Sequence, residues 1–320
     1  MTTVHMFAGQ GSQRRGMGED LFDLYPDLTA EADAVLGYSI RDLCLTGGRD
    51  GQLNDTRYTQ PAVYVVNALA HRALTDRGEH PDAVLGHSLG EYNALVAAGM
   101  LGFTDGLRLV AARAAAMAAV TGGGMSVVVG LRESTLRFLL HRSGFASVHL
   151  ANLNAPDQMV LAGPREDLEL MELILTDAGA KLARRLPVSG PFHSPHMSPA
   201  ACELGPLLRD TPFRPPRCPV IANRTARPHR PAELAAALTE QIDHPVRWTE
   251  SVEYLIGLDE DRPPRFTEVG GGTVLTGMVD RIVKERDRRA GQSAGTSPAP
   301  GPGPGPHGPG RRELIAQEAR

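Results

Sequence analysis

The chain has 320 residues, 42% hydrophobic and 22% charged, with a net charge of −4; it can bury a large core, and its length suggests about two domains. No basic stripe is interleaved with aromatics, which argues against nucleic acid as a partner. Cys44, Cys202 and Cys218, odd in number and without CxxC spacing, argue against a disulfide framework and a structural zinc site.

Residues 1–15 carry Gln, Gly and Ser where a signal peptide needs an apolar run, and no stretch approaches the roughly 20 apolar residues that span a membrane. The expectation is a cytoplasmic monomer with no membrane association. Val4-His5-Met6-Phe7 is a short apolar run that stops at Gly9-Gln10-Gly11, which predicts a buried strand entering a tight turn. Helical periodicity covers 61–74 and 90–98, and 82–85 reads as a strand directly before a Gly-rich turn. This alternation indicates a parallel α/β sheet.

From Gly122 to Gly190 the texture changes. Strands are predicted at 125–130, 147–152, 158–162 and 181–187, with helices at 133–142 and 165–178. The order βαββαβ predicts a ferredoxin-like sandwich inserted into the larger domain. Alternation resumes at 220–222 and 266–269, followed by Gly270-Gly271-Gly272 and a helix to about Lys284. From Ser293 to Gly310 almost nothing is apolar, so a disordered tail is predicted; residues 311–320 read as a frayed terminus or a short docking helix. The domains are therefore expected at 1–121 and 190–286 for a large α/β domain in two parts, 122–189 for the insert and 287–320 for the Pro/Gly-rich tail.

The strongest chemical signal is Gly86-His87-Ser88-Leu89-Gly90 between strand and helix. A serine in so sharp a turn needs flanking glycines to relieve crowding, and its hydroxyl is held exposed. The helix that follows brings a positive dipole end and free N–H groups, of which Leu89 supplies the first. By itself the pattern also fits a structural turn with an inert serine. A serine nucleophile needs a base, and His193 in Gly190-Pro191-Phe192-His193-Ser194 is the candidate, although a lone histidine is more often structural. Gly9, Gly11, Gly16 and Gly18 miss the GxGxxG spacing of a dinucleotide loop. His193 and His196 lack a third clustered ligand, so no metal site is expected and His196 reads as loop surface.

Phe7-Ala8-Gly9-Gln10-Gly11-Ser12-Gln13, Thr59-Gln60-Pro61-Ala62, the Ser88 turn with Glu91-Tyr92, Asn152 to Gln158, Pro191-Phe192-His193-Ser194, Pro245-Val246-Arg247-Trp248 and Glu268 to Leu275 together resemble the malonyl-CoA:acyl carrier protein transacylase family over about residues 4–284. That resemblance implies an α/β-hydrolase-like large domain with a ferredoxin-like insert. It implies that Ser88 takes the acyl group, that His193 acts as base and then acid, and that the backbone N–H groups of Gln10 and Leu89 form the oxyanion hole. It further implies that the 245–247 segment orients His193 through a backbone carbonyl, although relatives often have Asn or Gln where this chain has Arg247. By the same resemblance Arg113 binds the free carboxylate of a malonyl group, and Gln60, His87, Gln158 and Phe192 line the substrate pocket, His87 not being the base.

Malonyl-CoA would be the donor and an acyl carrier protein the acceptor, with no metal or redox cofactor. Phe192 is the residue that malonyl-selective polyketide acyltransferases often carry before the histidine, where methylmalonyl-selective ones often carry Ser. A trans-acting polyketide acyltransferase is thus favoured over the fatty acid enzyme. The alternatives are an acyl hydrolase of the same fold, for which loss of the carboxylate-binding arginine would speak, and a non-catalytic scaffold.

Overall fold

A four-stranded parallel sheet carries the site. The structure, a computed structural model, describes residues 2–294. β1 (Thr3–Phe7) leads through α1 (Glu19–Leu24), α2 (Pro26–Leu36), α3 (Ile40–Thr46) and α4 (Thr56–Asp76) to β2 (Ala83–Gly86), then α5 (Gly90–Ala97) and α6 (Phe103–Ala119). β3 (Gly123–Val129), α7 (Glu133–Ser143), β4 (His149–Ala155), β5 (Gln158–Pro164), α8 (Arg165–Asp177) and β6 (Leu182–Arg185) follow. After a short 3-10 turn at Pro195–Met197 come α9 (Ser198–Asp210), β7 (Val220–Ile221), α10 (Leu234–Asp243), α11 (Trp248–Gly257), β8 (Arg265–Val269) and α12 (Val274–Ala294).

The first sheet has the order β7-β2-β1-β8, all parallel. Central parallel strands are covered on both faces and so read as continuous apolar runs, as all of β2 and most of β1 do. Phe7 pairs with Gly86 at the carboxyl ends of β1 and β2, and ligands of open α/β sheets bind beyond such ends. Here those ends open into Gly9-Gln10, His87-Ser88 and, from β7, Ala222-Asn223.

The second sheet, β4-β5-β3-β6, is antiparallel. Its order and the βαββαβ sequence are those of a ferredoxin-like sandwich, with Val128, Leu136, Leu161, Leu168, Met171 and Leu175 in its core. The fold is thus an α/β-hydrolase-like parallel-sheet part carrying a ferredoxin-like insertion. The chain leaves and returns through one narrow neck: a Cβ on Gly123 would lie 2.6 Å from Pro191 Cγ. Two bulges in β4 turn it against the larger part, where Leu153 N donates to Val246 O (2.9 Å) and Val246 N donates to Ala151 O (2.9 Å).

Two elements differ from the sequence reading. α4 starts at Thr56, before Pro61, because the Asp55 side chain caps it by accepting from Arg57 N (2.9 Å) and Thr59 Oγ1 bonds Leu53 O (2.6 Å); these contacts offset the hydrogen bond that a proline inside a helix forfeits. α12 runs to Ala294, so the tail does not begin at 287. Glu285 accepts from Arg288 Nε (2.8 Å) and Arg289 Nε (3.2 Å), pairs at helical spacing that support the helix beyond its last buried apolar residue, Ile282. The chain divides into one unit ending at Val283 and another starting at Lys284, of which residues 284–294 are described. The rest of the predicted tail, including 311–320, lies outside the described residues.

Candidate active site

Ser88 sits where β2 turns into α5, with φ at 53°, a left-handed conformation that costs a non-glycine residue about 1–3 kcal/mol. The flanking glycines are required by close approach rather than by φ. A Cβ on Gly86 would lie 1.9 Å from Gly90 C, and one on Gly90 would lie 2.0 Å from Phe7 O. Asn223 holds the turn from the side: Ser88 N donates to its Oδ1 (2.6 Å) and its Nδ2 donates to Gly86 O (2.6 Å).

His193 lies in the segment that returns from the insertion and also has positive φ, 58°. Its Nε2 is 2.6 Å from Ser88 Oγ, and its Nδ1 is 2.8 Å from Gln241 O. A carbonyl only accepts, so Nδ1 carries the proton and Nε2 is left free to accept from the serine. The orienting carbonyl is therefore that of Gln241 and not one in 245–247. The last four carbonyls of a helix lack partners inside it, and Gln241 belongs to the final turn of α10. Residues 246–247 serve elsewhere: Val246 pairs with β4, and the Arg247 guanidinium pairs with Glu250 (Nε to Oε1 2.8 Å). Burial, with the Arg113 charge second, pushes the His193 imidazole down to about 3. It is neutral at neutral pH, as a base must be.

Arg113, on α6, is 1% exposed. Its Nη2 donates to Ser88 Oγ (3.0 Å) and to Gln241 Oε1 (2.9 Å), and its Nη1 donates to Gln60 Oε1 (2.5 Å). The Nε–H has no acceptor among the described residues. The Tyr92 ring lies 5.7 Å from the guanidinium. Burial lowers the Arg113 pKa, but from so high a starting value that the cation persists.

Gln10, Gln60, His87, Ser88, Arg113, Phe192 and His193 line one cavity of about 170 Å³, together with Asn152, Asn154 and Val160 of the insertion. Gln10 is tied down by Thr56 Oγ1, which donates to its Oε1 (2.9 Å). Gly9 before it has no room for a side chain: a Cβ there would lie 2.4 Å from His87 O and 3.6 Å from Leu89 N. The Leu89 side chain is buried in the core, so only its backbone faces the turn. His87 Nε2 is 2.8 Å from Asn154 Oδ1, away from any nucleophile.

Gln158 does not join this set. It opens β5 beside the hairpin turn, paired in register with Val129 and Ala155, and Val160 rather than Gln158 reaches the cavity. Nor is His196 loop surface: it is half-buried, 2.8 Å from Ser147 O. A larger groove of about 630 Å³ contains His71, His80 and Cys218 but none of the residues above. Burial raises the Cys218 thiol, so it offers no thiolate. Among the described residues no cluster of three metal-ligating side chains occurs, and no helix is long and apolar enough to cross a membrane.

Sequence reasoning missed Asn223 and Gln241. Both lie far along the chain from the partners they serve, and neither has a spacing that marks it.

A strained serine against a neutral imidazole, at the carboxyl end of a parallel sheet with a small domain inserted over it, fits the class of acyltransferases. The "Acyl transferase domain" family profile matches residues 4–297, and the chain belongs to that family. It is 43% identical over 286 residues to the polyketide biosynthesis malonyl CoA-acyl carrier protein transacylase PksC of Bacillus subtilis (strain 168), covering 89% of this chain and 98% of that one. Against the polyketide biosynthesis protein PksE of the same organism the identity is again 43% over 286 residues, 89% of this chain, but the match spans 37% of PksE.

Solved structures agree. A malonyl CoA-acyl carrier protein transacylase from Burkholderia pseudomallei superposes with a TM-score of 0.86 at 44% identity, over 89% of this chain and 99% of that one. A malonyl-transacylase in complex with its type II PKS acyl-carrier protein gives 0.83 at 37%, over 89% and 94%.

Proposed function

We propose that this acyltransferase moves a malonyl group from coenzyme A to the phosphopantetheine thiol of an acyl carrier protein. The observation that carries the reading is the buried Arg113 guanidinium, 3.0 Å from Ser88 Oγ in a mostly apolar cavity. An acyl carbon bonded to that oxygen places a β-carboxylate within reach of the cation, which binds it with its planar fork of donors. An acetyl group gains nothing from the same charge.

In the forward half-reaction Ser88 Oγ attacks the thioester carbonyl as its proton passes to His193 Nε2. The backbone N–H groups of Gln10 and Leu89 stabilise the oxyanion. When the C–S bond breaks, the imidazolium returns the proton to the departing thiolate, leaving a malonyl ester on Ser88 and free coenzyme A. The carrier's thiol then repeats the sequence in reverse, giving its proton to His193 and taking the malonyl group. No metal or redox cofactor enters either half. Gln60 holds the guanidinium, and the Phe192 ring beside His193 crowds an α-methyl branch, which favours malonyl over methylmalonyl. We place the reaction in polyketide biosynthesis, with the enzyme acting in trans in the cytoplasm as a monomer; 43% identity to PksC, a polyketide biosynthesis transacylase, supports the polyketide setting. Residues 122–189 form the insertion that supplies the cavity's second wall.

Labelled malonyl-CoA tests the reading. The wild type should become labelled on Ser88 and pass the label to a holo carrier protein, and S88A should not. Label retained by S88A overturns the assignment.

A further inference from the structure

Behind the Ser88–His193 pair lies a second, fully buried polar layer. Glu91, in the first turn of α5, and His229 have side chains 1% and 2% exposed, with His229 Nε2 2.5 Å from Glu91 Oε1. The same oxygen also accepts from Asn223 N (3.3 Å). Glu91 Oε2 accepts from Gln241 Nε2 (2.8 Å). The turn after β7 delivers two of these groups, since Ala222 N bonds Arg227 O and His229 N returns to Val220 O.

Gln241 is the hub. Its Nε2 also donates to Ser88 O (2.8 Å), its Oε1 accepts from Arg113 Nη2 (2.9 Å), and its backbone carbonyl faces His193. An amide can turn over and exchange its oxygen for its nitrogen at little cost in shape. Here the neighbours forbid it. A carboxylate only accepts and a guanidinium only donates, so the NH2 must face Glu91 and the oxygen must face Arg113. A reversed amide would set donor against donor at Arg113 and acceptor against acceptor at Glu91, in a buried site where unpaired groups are costly. Glu91 is also a carboxylate whose charge acts on the cation that the cavity presents.

We propose that Glu91, steadied by His229, is a positioning residue that locks the Gln241 amide in one orientation, and that this lock holds Arg113 in the geometry that selects a carboxylated acyl group. Neither residue touches substrate. The proposal rests on the malonyl-transfer reading given above.

E91Q tests it. The replacement keeps shape but can itself donate, so Gln241 is free to reverse and Arg113 loses both an acceptor and its counter-charge. The ratio of kcat/KM for malonyl-CoA to that for acetyl-CoA should fall by roughly tenfold or more, mostly through the KM for malonyl-CoA. H229A should lower the ratio in the same direction, and H229Q, which restores an N–H donor to Glu91, should recover it. A merely structural role would lower the thermal midpoint and leave the ratio alone. A folded E91Q whose ratio stays within about twofold of wild type overturns the proposal. Should E91Q not fold, equal ratios for H229A and H229Q overturn it instead. Failure of the wild type to load malonyl on Ser88 would sink the underlying reading, a result distinct from either.

Discussion

At the scale of single residues, the site is a set of strained or buried groups held by partners distant in sequence. Asn223 shows the dependence: its amide closes both the Ser88 N–H and the Gly86 carbonyl. N223A leaves two buried backbone groups unpaired, at about 1–3 kcal/mol each, and should shift the urea midpoint downward and slow acyl loading together. R113A should cut kcat/KM for malonyl-CoA by roughly a hundredfold or more while changing that for acetyl-CoA far less, which a two-substrate comparison reads directly. Ser88 was legible because a strand, two glycines and a helix surround it; His193 and Arg113 were legible only through the resemblance. Asn223 and Gln241 were not legible at all, because an Asn after a short strand looks like any turn residue and a Gln in a helix like any surface one. Gln158 misled for the reverse reason: it sits in a matching stretch, but the hairpin turn sets it one step short of the cavity.

Secondary-structure elements set the tolerances. The turn from β2 to α5 passes so close to β1 that G90A would drive a methyl group into Phe7 O. Backbone cannot yield as a side chain does, so G90A should abolish soluble, folded protein rather than merely weaken it. D55A removes the cap of α4 and should cost about 0.5–2 kcal/mol in chemical denaturation, with little effect on turnover because the helix remains packed along its length. Element order was largely legible: every predicted strand has a counterpart, since apolar runs bounded by glycines admit few readings. Ends were not. α4 begins before its proline, and α12 outruns its apolar stripe, where Glu285 pairs with Arg288 and Arg289.

For the molecule as a whole, acid should be destabilising. Burial lowers the imidazole pKa of His5, His87, His71 (to about 4) and His193 (to about 3). In the unfolded chain these groups bind protons near pH 6.5, while in the folded chain they resist protonation until lower pH. Their neutral burial is therefore without penalty above about pH 6.5, and stability falls as pH drops from there toward the folded values. Urea midpoints at about pH 7 and about pH 5 should differ markedly, and H71F should reduce the difference. Composition could not foresee this, because eleven histidines at an unremarkable net charge say nothing of how many the fold strips of water.

The partner of His193 Nδ1 is a main-chain oxygen, a fact with consequences for genetics. All twenty amino acids carry that oxygen, so a scan of side-chain substitutions cannot delete it. Changes at position 241 report on the amide, not on the carbonyl. An α-hydroxy acid installed at 242 would turn the linkage into an ester and weaken the acceptor without altering either side chain. That single-atom edit, rather than any codon change, isolates the third member of the site.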